Sequence, residues 1–295
     1  MTVETLLQQV INALSLGSLY ALLALGLSMV YGVLKLMNFA HGELVTITAY
    51  TMWFLASRGV SFPIVVVAGI AAATVVALLT ELIAFRQLRK ASFATVLIAS
   101  FAVSVIIQNL IRQFISPRPR GIRVPAVFDA VLRFGFFHIG ALSLITLAIS
   151  LIVMALLAAF LRRTRWGIAL RAAAADFEVA RLVGVRANRI ISLAFATAGF
   201  LAGIGGVLWV CRIGGMTPSM GLTPVIKSFV ANVIGGLGSF QGAVLGGYIL
   251  AFLDIFLQVF LPAAARPFID AFSLAVVVII LYFRPEGLMR KRSEA

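Results

Sequence analysis

One cysteine, two histidines and ten acidic residues are all that this 295-residue sequence has of those types. Cys211 alone cannot close an internal disulfide, so no oxidative framework is expected. His41 and His138 lie far apart and no His-Glu-x-x-His occurs, which leaves no zinc signature. Ser-Gly and Gly-Asp dipeptides are absent, and with them the usual cues for intramembrane serine and aspartyl proteases. A phosphate-binding loop needs Gly-x-x-x-x-Gly-Lys-Ser/Thr, because its backbone amides and lysine cradle phosphates. The only Lys-Ser pair, Lys227-Ser228, follows Ile226 instead. Neither catalysis nor a metal or cofactor is expected in this chain, and energy from ATP would have to enter through another subunit. Charge is scarce too: Asp, Glu, Lys and Arg make up 12% of residues, about half the roughly 25% of soluble proteins.

Apolar residues fill the gap, at 62% of the chain with a mean hydropathy of +1.10. A water-soluble fold would have too little polar surface to cover itself, so an all-α polytopic membrane protein is expected. A bilayer core about 30 Å thick takes roughly 20 helical residues. Runs that meet this test lie near 5–34, 63–84, 92–115, 139–161, 190–212, 241–260 and 267–283. Two shorter or interrupted runs, 42–57 and 224–239, are ambiguous between crossing and re-entering. The first run starts beside Glu4 rather than a basic cluster and is too long for a signal peptide, so it is expected to stay as a helix.

The 24 basic residues, 20 of them Arg, outnumber the acids and give a net charge of +14. They sit at the ends of apolar runs, where they set topology and meet anionic lipid; this disfavours a nucleic-acid partner. Three clusters are expected on the cytoplasmic side: Arg86, Arg89 and Lys90; the segment 162–189; and the tail 284–295. Even numbers of crossings must separate them, which makes 224–239 a span. Counting 42–57 as another puts the N-terminus, an end without Lys or Arg, outside and gives nine crossings, so about eight to nine transmembrane helices are expected. The loop 116–138 is then extracytoplasmic, although it holds Arg118, Arg120, Arg123 and Arg133.

Glycine and polar residues interrupt both ambiguous runs: Asn38-Phe39-Ala40-His41-Gly42-Glu43 before one, Gly235-Gly236-Leu237-Gly238 at the end of the other. Such interruptions point to a substrate path, or else let helices pack closely. Candidates for the path are Asn38, His41, Glu43, Lys227, Asn232 and Asp254. His41 is alternatively a pin for the turn before residue 42, Asn38 a cap for a helix over 39–57, and Lys227 and Asn232 parts of a subunit interface. Asp254 lies mid-run, as an ion-coupling carboxylate would; Glu81 is within reach of Arg86.

The segment 162–189 reads as a helix over 168–183, ended by Gly184 in a left-handed conformation, with Asn188 capping the next helix. Its small side chains and both signs of charge suit a docking knob for another protein, or else a helix resting on lipid.

At this point the chain resembles the membrane permease subunits of branched-chain amino-acid ABC importers, most closely the LivH type. The resemblance covers essentially the whole chain. It is carried by Gly17-Ser-Leu-Tyr20-Ala-Leu-Leu-Ala-Leu-Gly26-Leu, Tyr31-Gly32, Asn38-Phe39-Ala40-His41-Gly42-Glu43, Gly167…Arg171-Ala172, Asp176…Ala180…Gly184 and Gly235-Gly236-Leu-Gly238-Ser-Phe-Gln-Gly242-Ala. Glu178-Val-Ala180…Gly184 departs at its second position from the commoner Glu-Ala-Ala…Gly. The resemblance implies a type II-like ABC importer architecture in a bacterial inner membrane. It implies a pore shared with a second permease of the LivM type, two ATP-binding subunits that hold ATP and Mg, and an extracytoplasmic binding protein that delivers substrate. Residues 168–184 would be the coupling segment, with Arg171, Asp176, Glu178, Ala180, Arg181 and Gly184 at the ATPase. Arg118, Arg120 and Arg123 would steer the binding protein, or be an ordinary solvated loop. A permease for urea or short amides, and an ion-coupled transporter working alone, remain as other readings.

Overall fold

The computed structural model describes residues 3–89, 91–122, 124–128, 130–134, 137–284 and 287–289. Seven of its helices are long and apolar enough to span a membrane, and they fall on the seven runs read from the sequence. In chain order the helices are α1 (Val3–Leu34), α2 (His41–Ala56), α3 (Phe62–Thr80), α4 (Phe93–Phe114), α5 (Ala141–Arg163), α6 (Arg165–Ala175), α7 (Phe177–Leu182), α8 (Ala187–Ile213), α9 (Leu222–Gly235), α10 (Phe240–Phe260) and α11 (Ile269–Phe283). α3 runs on into a π-helical turn, Glu81–Phe85, in which Arg86 N–H bonds back to the Glu81 carbonyl, and α11 is entered through a 3-10 segment, Ala263–Phe268, that brings its span to 21 residues.

Burial sorts these helices into a core and a lipid-facing shell. The apolar window of α1 is 94% buried and that of α8 72%, against 11–33% for the other five long helices. Lipid is as apolar as Leu, so packing rather than hydrophobicity must hold the core helices, and small residues allow it. Gly205 of α8 sits on Leu23 of α1, Gly206 on Thr48 of α2, and Gly199 on Thr74 and Ala77 of α3. α10 lies against α1 through Gly247 at Ala21, and against α9 through Gly235 and Gly242.

The two ambiguous runs are both helical but short. α2 has 16 residues and α9 has 14, about 24 and 21 Å at 1.5 Å per residue. Neither reaches the roughly 30 Å of a hydrocarbon core. The two helices meet start to start: the backbones of Gly42 and Gly221 touch, and Gly221 N–H donates to Thr46 Oγ1 at 3.1 Å.

The two ends of the bundle carry different segments. Two short ribbons occupy the 116–140 region: β1 (Arg120–Gly121) pairs antiparallel with β4 (Gly215–Met216), and β2 (Val131–Phe134) with β3 (Phe137–Gly140). The first ribbon ties that loop to the C-terminal end of α8, whereas α6 and α7 lead into its N-terminal end. Arg89 joins that N-terminal end through Asn188 Oδ1, and Lys35 Nζ reaches the Ala174 carbonyl of α6 at 3.1 Å. Leu288 and Met289 N–H bond to the carbonyls of Ile234 and Gly235. The described parts of the basic clusters therefore share one end of the bundle.

Candidate functional site

At the basic end, α6 and α7 form a bent arm. Thr164 caps α6, accepting from Gly167 N–H at 3.0 Å, and Arg171 Nε holds it to α5 through the Leu161 carbonyl at 2.9 Å. The single helix expected over 168–183 is broken at Asp176. Its carboxylate accepts from Glu178 and Val179 N–H at 2.9 and 3.0 Å, so it starts a new helix instead of continuing the old one. Gly184 ends α7 with φ +89°, as its position predicts. Val185 N–H bonds to the Ala180 carbonyl and Gly184 N–H to that of Arg181, a Schellman motif. The tip thus fixed is apolar and bare: Leu182 is 86% exposed, Val183 75% and Val179 54%.

Within the membrane helices, a cluster of charge joins α9, α10 and α11. Lys227 of α9 donates to Asp254 of α10 at 2.8 and 2.9 Å. Tyr20 of α1 adds a bond to the same carboxylate at 3.0 Å, and Ser273 of α11 one at 2.6 Å. Asp270, in the first turn of α11, lies 2.8 Å from the lysine on its other side. A cavity of about 140 Å³ adjoins them, lined by Thr223, Ile226, Lys227, Val230, Leu250, Asp270, Ser273 and Leu274. Asp254 is thus paired and hydrogen-bonded, whereas an ion-coupling carboxylate would need room for its ion. A larger cavity of about 770 Å³ opens between α5, α6 and α10 at the basic end.

A second polar group surrounds the start of α2. Glu43 is buried and accepts from Ser104 at 2.8 Å and Gln108 at 2.7 Å, both on α4. The His41 ring lies against Gly26 of α1. Asn232 Nδ2 donates to the Ala24 carbonyl at 2.8 Å, while Asn232 Oδ1, Asn38 Oδ1 and Glu43 Oε2 have no hydrogen-bond partner among the described residues.

Residues 9–283 match the family described as branched-chain amino acid transport system / permease component. The chain belongs to that family. It is 33% identical to the high-affinity branched-chain amino acid transport system permease protein BraD of Pseudomonas aeruginosa, over 96% of this chain and 95% of that one. It is 31% identical to LivH of Escherichia coli K12 over the same shares, and 28% identical to a probable LivH of Methanocaldococcus jannaschii over 94% and 90%. No solved structure matches it. With its spanning helices, the permease is a multi-pass inner-membrane protein.

The permease places its sequence-read residues unevenly. Arg171, Asp176, Glu178, Arg181 and Gly184 are exposed on the arm, but Ala180 is buried and packs α7 onto the bundle. Arg118 and Arg120 are exposed beside β1; Arg120 Nε bonds Ser116, and its guanidinium lies 5.2 Å from the Trp53 ring. Arg123 lies outside the described residues, as do Lys90 and 290–295 of the tail. Lys227 and Asp254 come together, while Asn38, His41, Glu43 and Asn232 gather around α1 and α2. Two expected caps are absent. Asn38 does not cap α2, whose first turn carries no side-chain cap. Asn188 lies inside α8, its carboxamide taken by Arg89. Glu81 does reach Arg86, at 3.4 Å, and also holds Arg89 and Ser192 of α8. Sequence reasoning passed over Tyr20, Ser273, Leu182 and Val183. The one available signal was a Leu-Val pair directly before Gly184 at the end of a short helix.

Proposed function

We propose that this chain is one permease subunit of an ATP-driven importer of branched-chain amino acids. It forms a pore with a second, related permease, and an extracytoplasmic binding protein delivers the amino acid. Two ATPase subunits bind ATP and Mg and drive the cycle through the arm at 165–184. The branched-chain amino-acid permeases it resembles support this substrate class over urea or short amides, and family membership speaks against an ion-coupled carrier working alone.

The observation that carries the coupling role is the bare apolar tip of the arm. Leu182 and Val183 are among the most exposed apolar side chains of the described residues, at the basic end, on a turn locked by Asp176 and Gly184. An apolar centre with Glu178 and Arg181 beside it is the make-up of a protein interface, whose core is apolar and whose rim is charged. Arg118 and Arg120, at the opposite end of α8, suit steering of an acidic binding protein. The path candidates Asn38, His41 and Glu43 flank the meeting of the two short helices, and Asn232 lies farther along α9 against Ala24. Helix N-termini carry partial positive charge, and broken helices present them to anionic groups such as a carboxylate. In the assembled transporter, Leu182→Asp with Val183→Asp is expected to reduce ATP-dependent leucine uptake at least about tenfold, by replacing apolar contact with buried charge. Fluorescence-detected size exclusion should show the permease pair unchanged. Full uptake from the double variant would refute the coupling role.

A further inference from the structure

Resting on that reading, we infer that the cavity between α9, α10 and α11 is a binding site for a small aliphatic α-amino acid, held by Lys227 and Asp270. Lys227 serves two carboxylates of different kinds. Asp254 has a side chain only 9% exposed and already accepts from Lys227, Tyr20 and Ser273. Asp270 has a side chain 73% exposed at the cavity mouth. The inner pair is therefore fixed and the outer pair is solvated and weakly held. Buried charge at membrane depth is costly and marks solute pathways more often than scaffolding.

A zwitterion fits the outer pair without changing the charge of the site. Its carboxylate takes the place of the Asp270 carboxylate at Lys227 Nζ, and its ammonium is received by the displaced Asp270. No proton moves and no bond breaks. A carboxylate without an amine would add an uncompensated negative charge beside Asp254 and Asp270. An amine without a carboxylate would leave Lys227 without its second acceptor. The chemistry of the pair therefore selects for both groups on one molecule.

The walls set the side chain. Ile226, Val230, Leu250 and Leu274 are aliphatic, and no aromatic side chain among the described residues lines the cavity. The cavity is small, about 140 Å³, and its aliphatic walls suit a short branched chain. Thr223 lines this cavity and also a cleft of about 470 Å³ beside Arg120, Trp209 and Met216. That cleft lies at the end of α8 away from the coupling arm, where a delivered amino acid would enter.

The test is equilibrium binding of radiolabelled leucine to the assembled permease–ATPase complex without the binding protein, with ATP-driven uptake measured alongside. Competitors are valine, 4-methylpentanoate and 3-methylbutylamine. Wild type should release leucine to valine but not to either single-charge analogue. Asp270→Asn should weaken leucine binding about tenfold, equal to about 1.4 kcal/mol, and narrow the preference for leucine over 4-methylpentanoate. Asp270→Glu should retain that preference, and Leu274→Trp, which fills the cavity, should abolish binding. A merely structural role for Asp270 would not move the ratio between leucine and its deaminated analogue. The inference is overturned if the wild-type complex takes up leucine but shows no leucine binding in this assay, or if D270N and L274W both bind and transport like wild type. If the wild-type complex carries no branched-chain amino acid at all, the functional reading fails and this site with it.

Discussion

Lys227→Met is expected to destabilise the permease by about 3–5 kcal/mol, the usual cost of removing one partner of a buried ion pair. Asp254 has a side chain only 9% exposed, so the variant leaves a carboxylate enclosed with Tyr20 and Ser273 but no cation. The double variant K227M/D254L should recover most of the loss, because removing both charges also removes both desolvation costs. Thermal unfolding in mild detergent reads this directly, with wild type, both single variants and the double variant compared as a cycle. An account in which the pair is ornamental predicts four similar midpoints. If the double variant is no better than K227M, the loss comes from packing around α9 and the pairing argument is wrong.

Gly235→Val should cost about 3 kcal/mol, the upper part of the range for overpacking. Any side chain at Gly235 overlaps the Gly242 carbonyl of α10, and a side chain at Gly242 overlaps Gly235 in return. These are backbone atoms of two helices, so nothing can swing aside; α9 and α10 must separate. Separation also strains the bonds from Leu288 and Met289 to the end of α9. Gly140→Ala is the control, since a methyl there meets nothing within 4 Å; as the N-cap of α5 it should cost only about 0.5–1 kcal/mol. Yield of monodisperse protein and unfolding temperature should fall for G235V and hold for G140A.

These two sites show where a sequence of this kind can and cannot be read. The seven long helices follow from the length and apolar character of their runs, because a bilayer imposes one length on every span. α2 and α9 resist that argument because 16 and 14 residues fit neither a full span nor a loop. The glycines around 235–242 hinted at a substrate path, but contact explains them better: Gly235 and Gly242 let two backbones touch, while Gly236 and Gly238 turn the chain with φ of +101° and +81°. The alanine-rich stretch before Asp176 has the propensity for one continuous helix, yet an aspartate that can bond its own backbone ends one helix and begins another. Tyr20 and Asp254 stand 234 residues apart, and nothing local announces their bond. Polar contacts between distant spans are set by tertiary packing, which one sequence does not display.

The central claim, that the arm at 165–184 is where an ATPase grips this permease, is tested most directly by cross-linking. Cys211 is the only cysteine and is buried, so Leu182→Cys supplies a single exposed thiol at the tip of the arm. A photoactivatable label on that thiol, illuminated in native membranes, should yield one dominant adduct that mass spectrometry identifies as a subunit with a phosphate-binding loop. The same label on an exposed residue at the other end of α8, through Arg118→Cys, should not capture that subunit. Capture of the ATPase from Arg118 rather than Leu182, or only lipid adducts from Leu182 in a transporting complex, would contradict the account.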